Sequence, residues 1–156
     1  MTRRIPRRIA RLPIPMFRAG LGFLFGRRLV MLEHLGRSSG LRRYVVLEVL
    51  ERDAGGLVIV SGYGPGAQWY RNVLAHPGVR VWTGFRRGVR AIAEPVAAAE
   101  VPARLEQYRD RHRRAARALG RTLDLPDLAG DGPMPVDVGA RLPLVRVEFG
   151  RGAPTD

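Results

Sequence analysis

Six short strand-like stretches, several of them joined by tight glycine-rich turns, constrain the fold of this 156-residue sequence most strongly. The turns Asp53–Gly56 and Gly84–Gly88 can join antiparallel neighbours, whereas parallel strands need a crossover of roughly a dozen residues or more. We therefore predict a small antiparallel barrel in an α+β domain that is mainly β. The six predicted strands are 29–35, 44–51, 57–61, 79–83, 89–93 and 142–149.

Two helices complete the predicted domain. One bridging helix runs from Ala67 to His76 and is ended by Pro77 and Gly78. We place an apolar arc of Trp69, Tyr70, Val73 and Leu74 on the barrel, with Gln68, Arg71 and Asn72 on the opposite face. One outer helix begins near Pro102 and carries the stripe Val101, Leu105, Tyr108, His112, Ala115 and Leu119.

The ends of the chain differ from the predicted barrel domain, residues 29–150. Residues 1–28 form a basic amphipathic arm with eight arginines and no acidic residue, and residues 151–156 form a tail. The arm lacks the run of about 20 apolar residues that a spanning helix needs. It is either an interfacial anchor on anionic lipid, through residues 3–28, or a basic arm with a short helix that covers the core. We favour the packed helix for residues 16–28.

The composition limits the chemistry. There is no cysteine, which excludes disulfides, thiol nucleophiles and thiolate metal sites. The same absence favours a cytoplasmic protein. If the arm binds lipid, the protein would lie peripherally at the inner face of the plasma membrane. The histidines His34, His76 and His112 lie far apart, so we predict no metal site. All 27 basic residues are arginine, typical of a high-GC genome, and the net charge of +13 favours anionic ligands, lipid or nucleic acid.

Two glycine-rich turns, Gly36–Gly40 and Gly62–Gly66, have the composition of an anion site. Their glycines let backbone N–H groups approach a ligand, and Arg37 and the neighbouring serines supply further donors. The second turn matches the dinucleotide fingerprint, but a hairpin follows it and no acidic residue occurs before Glu94. We therefore reject a Rossmann fold and predict a cradle for an anionic ligand.

These motifs together resemble a known family. The turn Gly36–Gly40, the pair Ser61–Gly62 and the run Trp69–Asn72 with Pro77 are similar to the deazaflavin-dependent nitroreductase and quinone reductase family of actinobacteria, whose members use coenzyme F-420. The likeness covers about residues 29–149. It implies a split β-barrel related to FMN-binding barrels, an oxidoreductase activity, frequent association with membranes and a possible homodimer.

The resemblance also implies roles for particular residues. The phosphate and acidic tail of F-420 would contact Arg37, Ser38, Ser39 and Arg43, with Arg42 compensating for a family lysine that is Ser38 here. The ring would lie over Val45 and Val46. Its polar edge would meet Ser61, Gly62, Tyr63 and Gly64, and the pocket would be shaped by Gln68, Trp69, Tyr70 and Asn72.

The implied reaction is hydride transfer from reduced F-420 to a quinone, a nitroaromatic or an activated alkene. Tyr63 or Tyr70 would polarise the acceptor carbonyl. The segment 134–141 lacks the tyrosines that cover substrate in the nitro-drug-reducing members of the family. FMN is an alternative cofactor. Two other functions stay open: a non-catalytic binder of lipid, flavin or tetrapyrrole on the same barrel, and a nucleic-acid-binding module, which the motifs disfavour.

Overall fold

A computed structural model describes residues 13–19, 21–25 and 27–150. Its six strands form a closed antiparallel barrel with the order β1-β2-β3-β6-β5-β4, which confirms the predicted fold class. The predicted arm before residue 13 and the tail 151–156 lie outside the described residues. The strands are β1 (Leu29–Leu35), β2 (Arg42–Arg52), β3 (Gly56–Val60), β4 (Gly78–Thr83), β5 (Arg86–Pro95) and β6 (Leu144–Phe149).

Five α-helices surround the barrel in the described part of the chain: α1 (Pro13–Arg18), α2 (Gln68–Ala75), α3 (Val101–Arg111), α4 (Arg113–Leu123) and α5 (Val138–Arg141). Short 3-10 turns lie at Leu21–Phe25, Gly64–Gly66, Ala98–Glu100 and Pro126–Ala129. Among the described residues, no helix is long and apolar enough to cross a membrane.

The barrel is split along one edge of β2. This strand pairs with β1 along its first half, from Leu35↔Arg42 to Leu29↔Glu48. It pairs with β3 only from Val49↔Ile59 onward, with an irregularity between Val49 and Glu51. Among the described residues, the edge of β2 from residue 42 to residue 48 therefore has no strand partner on the β3 side, and its backbone groups are available to other partners.

The inside of the barrel is filled by aliphatic residues from the inward faces of the strands, as the period-two pattern predicts. The bridging helix α2 packs Trp69 and Val73 against this core, so the helix closes one end of the barrel. One detail of the predicted arc is wrong. Asn72 is buried and Leu74 is half-exposed, because Asn72 lies three residues after Trp69 and so shares its face.

A second core lies outside the barrel, between the outer faces of β3 and β6 and the helices α3 to α5. The outer helix is two helices and not one. It breaks at His112, whose φ of −134° and ψ of 53° are not helical. Beyond the break the buried positions are Ala116, Leu119 and Gly120, so His112 leaves the predicted stripe and is exposed. Leu119 keeps its predicted buried position, Ala115 is partly buried, and Ala116 and Gly120 join the buried face of the second segment.

The turn between β4 and β5 is tighter than predicted. The strands extend to Thr83 and from Arg86, which leaves Gly84 and Phe85 as the turn. Gly84 has a φ of 55° and Gly88 a φ of 64°, both in the region that favours glycine. The ladder register shifts between Val81 and Thr83, so the extra residue is absorbed as an irregularity inside the hairpin.

Helix α1 covers the side of the barrel formed by β2 and β4. Phe17 is fully buried there, which agrees with the packed helix favoured for residues 16–28. Arg18 lies over the ring of Tyr44, with 5.2 Å between its guanidinium carbon and the ring centroid. The segment therefore combines a buried aromatic anchor with an exposed basic side chain.

Candidate functional site

The first glycine turn is closed by its own backbone. The Gly40 N–H donates to the Gly36 carbonyl at 2.8 Å, and the Gly36 N–H donates to the Leu41 carbonyl at 2.8 Å. Gly40 has a φ of 65°, which a side chain would strain. Within the described part of the chain, the N–H groups of Ser38 and Ser39 have no acceptor. The turn therefore presents adjacent donors to solvent, as an anion site requires.

Arg37 ties this turn to helix α2. Its backbone N–H donates to Asn72 Oδ1 at 3.1 Å, and its Nη1 donates to the same oxygen at 3.0 Å and to Gln68 Oε1 at 2.9 Å. The Nε and Nη2 groups have no acceptor among the described residues. The guanidinium is thus held by one nitrogen while its remaining donors are free for a phosphate or carboxylate, which it can bind in bidentate fashion.

Ser39 and Arg43 converge over Gly36. A Cβ atom at Gly36 would lie 2.5 Å from Ser39 Oγ and 3.1 Å from Arg43 Nε, so a side chain at this position would displace the Ser39 hydroxyl. Ser39 Oγ accepts the Leu41 N–H at 3.3 Å and keeps its own proton for a ligand. Arg43 is exposed and has no carboxylate partner in the described ranges. The structure brings together the predicted residues Arg37, Ser38, Ser39 and Arg43.

Arg42, predicted to replace the missing family lysine, points to a different group. Its Nε lies 3.8 Å from the largely buried carboxylate of Glu33, which also contacts Arg80 at 4.0 Å and accepts a hydrogen bond from the Tyr44 hydroxyl at 2.8 Å. That hydrogen bond, followed by burial, raises the pKa of Tyr44. Glu33 partly neutralises Arg42, so Arg37 and Arg43 are the stronger candidates for an anion.

The second glycine turn packs against the helical layer. Ser61 is fully buried, its N–H donates to the Pro143 carbonyl at 2.9 Å, and its hydroxyl donates to the Gly64 carbonyl at 2.7 Å. A Cβ at Gly62 would lie 2.7 Å from Leu123. The N–H groups of Gly62 and Tyr63 have no acceptor in the part that the structure describes. The turn leads directly into α2, and so it adjoins Gln68.

The predicted ring platform lies on the split edge of the barrel. Val45 and Val46 are half-buried on the part of β2 that lacks a strand partner on the β3 side. Val45 and Tyr70 both pack against the inner core. Trp69 is buried and meets Tyr70 edge to face, with 6.0 Å between ring centroids, while Tyr63 is exposed. Trp69 therefore supports the site from within the core, and the two tyrosines lie nearer the surface.

His34 was absent from the sequence-based site, and the structure adds it. It lies on β1 and is almost completely buried, with Nδ1 3.2 Å from Asn72 Nδ2. Burial, followed by the positive charge of Arg43, lowers the pKa of His34 from 6.5 to about 4. The imidazole is therefore neutral at physiological pH. In the sequence, only the position of His34 on a strand next to the first turn could have indicated that it belongs to the site.

The depressed pKa of His34 predicts a pH-dependent stability. Between pH 6.5 and about 4, His34 is protonated in the unfolded chain and neutral in the folded chain. The free energy of unfolding should therefore fall as the pH falls through this window, by up to about 3 kcal/mol. Urea unfolding of the wild type and of His34→Asn, which cannot titrate, measures the difference. Equal pH profiles would contradict the assignment.

A separate cleft of about 480 Å³ lies between the second half of β2 and the junction of α3 and α4. It is lined by Val49, Leu50, Arg111 and Tyr108, among others, and burial raises the pKa of the Tyr108 hydroxyl to about 12. None of the predicted site residues lines it. The residues that the structure describes contain no group of three or more histidine, aspartate or glutamate side chains able to hold a metal.

Solved structures define the class to which the fold belongs. An F-420-H2 dependent reductase, FDR-A, is 23% identical with a TM-score of 0.50, over 78% of this chain and 95% of that chain. A domain-swapped dimer is 22% identical with a TM-score of 0.52, over 92% and 99%. The heme storage protein HutZ from Vibrio cholerae is 16% identical with a TM-score of 0.52, over 94% of each. At these identities the comparisons establish the split-barrel fold alone.

The family is established by sequence. Residues 16–122 match the family described as F420H(2)-dependent quinone reductase, and the chain belongs to that family. It is therefore an oxidoreductase of the class that depends on reduced coenzyme F-420. No protein of curated function matches the chain significantly in sequence.

The residues present suit this cofactor. F-420 carries a phosphate and an acidic tail. Among the described residues, the first turn offers N–H groups of Ser38 and Ser39 that have no acceptor, guanidinium donors of Arg37 that have no acceptor, and the exposed charge of Arg43. The donor set is cationic and hydrogen-bonding, which is the chemistry that phosphate and carboxylate oxygens require.

Proposed function

We propose that this protein transfers hydride from reduced F-420 to a quinone-type acceptor, with nitroaromatics and activated alkenes as alternative acceptors. The cofactor supplies the hydride, and the protein orients it and excludes water. The observation that carries the proposal is the set of donors in the first turn that have no acceptor among the described residues. Hydrogen bonds from Arg37 tie this turn to helix α2, and the chain belongs to the reductase family.

We assign the phosphate and acidic tail to Arg37, Ser38, Ser39 and Arg43. The hydrogen bonds from Arg37 to Gln68 and Asn72 support this assignment, since they fix the guanidinium before the ligand arrives. A group held in place loses less conformational entropy on binding than a free side chain does. Arg42 contributes long-range charge, because its nearest partner is Glu33.

The ring is assigned to the split edge of the barrel. Its face lies against Val45 and Val46, and its polar edge meets the N–H groups of Gly62 and Tyr63. Two observations support this assignment in the described structure: β2 has no strand partner on the β3 side from residue 42 to residue 48, and the N–H groups of Gly62 and Tyr63 in the second turn are unpaired. Ser61 and Gly64 act through the turn geometry, since their side-chain and carbonyl groups bond to each other.

Tyr63 and Tyr70 are the residues that we propose as hydrogen-bond donors to the carbonyl of the electron acceptor. Tyr63 is 61% exposed, and its hydroxyl has no partner among the described residues, so it can donate to an acceptor carbonyl. Tyr70 is half-buried and its ring is fixed by Trp69. With a tyrosine hydroxyl as donor and solvent as the proton source, the acceptor needs no acid–base dyad from the protein.

Replacing Arg43 by alanine tests the tail assignment. We expect oxidised F-420 to bind about 10- to 100-fold more weakly, because a charge-assisted hydrogen bond contributes about 1.5–3 kcal/mol. The matched control is Arg90→Ala, which removes one exposed positive charge from β5. A fluorescence titration measures both variants, and equal affinities would remove Arg43 from the site. Oxidation of reduced F-420 by a soluble quinone, followed in parallel, tests the acceptor class.

The family resemblance also implies membrane association and a homodimer, and we propose both for this protein. Contact with anionic lipid is supported by the exposed side chains of Arg18, Leu24, Arg27 and Arg28, which combine an apolar group with cationic ones near the start of the described residues. A homodimer is supported by the relative whose structure is a domain-swapped dimer. Sedimentation with anionic vesicles and measurement of the solution mass test these two proposals.

A further inference from the structure

The buried imidazole of His34 and the buried amide of Asn72 form the inner end of a hydrogen-bonded chain. Both side chains are at least nine-tenths buried, and Asn72 Nδ2 lies 3.2 Å from His34 Nδ1. The outer end of the chain is Arg37, whose backbone N–H and Nη1 both donate to Asn72 Oδ1. Three residues from β1, α2 and the first turn are therefore linked from the core to the surface.

The donors in this hydrogen-bonded series determine the orientation of the Asn72 amide and the tautomer of His34. Arg37 can only donate, so the amide atom that faces it must be the oxygen of Asn72. The amide nitrogen of Asn72 then faces His34, and His34 must accept there through an unprotonated Nδ1. The proton of the neutral imidazole consequently sits on Nε2. A rotated Asn72 amide would set N–H groups against both donors of Arg37.

From this geometry we propose that His34 is a positioning residue for the anion clamp, the group of anion-binding donors formed by Arg37, Ser38, Ser39 and Arg43. By accepting from Asn72, His34 holds the Asn72 oxygen towards Arg37, and Asn72 in turn holds Arg37 with its free Nε and Nη2 groups available to a phosphate. His34 thereby sets the preference for a deazaflavin that carries the phosphate and acidic tail over the same chromophore without them. This inference rests on the proposed function of the first turn.

The alternative is a merely structural role, in which His34 fills a buried position. A structural defect would weaken the binding of any ligand on the barrel. The loss of positioning would weaken only the contribution of the tail. The ratio of the two dissociation constants, for F-420 and for the tail-free deazaflavin, therefore separates the two roles.

The test uses three variants of the full chain and fluorescence titrations with both ligands. His34→Phe removes the acceptor, His34→Asn places an oxygen near the position of Nδ1, and His34→Gln places one near the position of Nε2. We expect His34→Phe and His34→Gln to reduce the preference for F-420 by about fivefold, the value of one hydrogen bond. We expect His34→Asn to retain most of the preference. The two amide variants keep the comparison valid if the phenylalanine variant does not fold.

Arg37→Ala serves as the reference. If it abolishes most of the preference while the His34 variants leave the preference unchanged, the positioning role is overturned and the clamp remains. Equal weakening of both ligands in the His34 variants would also overturn the positioning role. If Arg37→Ala itself leaves the preference unchanged, the clamp assignment fails, and the inference fails with it.

Discussion

Replacing Arg37 by alanine should weaken the binding of oxidised F-420 by about 100-fold, the upper end of the effect of one charge-assisted interaction. Two guanidinium nitrogens have no acceptor in the described ranges and are available to the ligand, while the third is bound to Gln68 and Asn72. Its removal deletes a ligand contact and also breaks a link between the first turn and α2. Both losses act on the same binding step.

Arg37→Lys separates these two contributions. Lysine keeps the positive charge but lacks the planar fork that can bond a phosphate and two side-chain oxygens at once. We expect this variant to recover only a minor part of the affinity. Arg90→Ala, which lowers the net charge equally at a distant strand, is the control for long-range electrostatics. An Arg37→Ala affinity equal to that of Arg90→Ala would exclude Arg37 from the site.

Replacing Trp69 by alanine should lower the free energy of unfolding by about 3–5 kcal/mol. The indole is 6% exposed and packs from α2 into the inner core at the end of the barrel. Truncation leaves a cavity that the surrounding strands cannot collapse to fill, because their positions are fixed by the closed ladder. The loss is a large part of the stability of an ordinary domain.

Leu74→Ala on the same helix is the matched control. Leu74 is 50% exposed, so its truncation should change the free energy of unfolding by less than about 1 kcal/mol. Urea unfolding with a common slope for all variants measures both effects. If the two variants lost similar stability, α2 would not close the barrel through Trp69. Because α2 carries Gln68 and Asn72, we also expect Trp69→Ala to weaken F-420 binding.

The strands and their antiparallel pairing were predictable because hairpin turns are local, whereas the order of the strands around the barrel was not predicted. Asp53 shows why, since its carboxylate accepts from the N–H groups of Gly55 and Gly56, at 2.8 and 2.9 Å, inside the predicted turn. Turn chemistry of this kind depends on neighbouring residues alone. The family resemblance was equally local, because its motifs lie in the two turns and in the first residues of α2.

Other features depend on tertiary contacts that no local pattern reports. The break at His112 contains neither glycine nor proline and arises where α3 ends and α4 turns to pack against the segment 126–129. Asn72 was placed on the face opposite the apolar arc, yet it is buried, and its polar atoms bond to Arg37 and His34, which lie more than 30 residues away in sequence. The same distance kept His34 out of the predicted site.

The central claim is that the first turn makes this protein a binder of F-420, and one pair of titrations tests it most directly. Purified protein is titrated with oxidised F-420 and, at the same salt concentration, with FMN, and binding is followed by fluorescence. We predict selective binding of F-420 with micromolar affinity or better. Selective binding of FMN would keep the redox barrel but contradict the cofactor, and binding of neither ligand would contradict the clamp on which the proposed function depends.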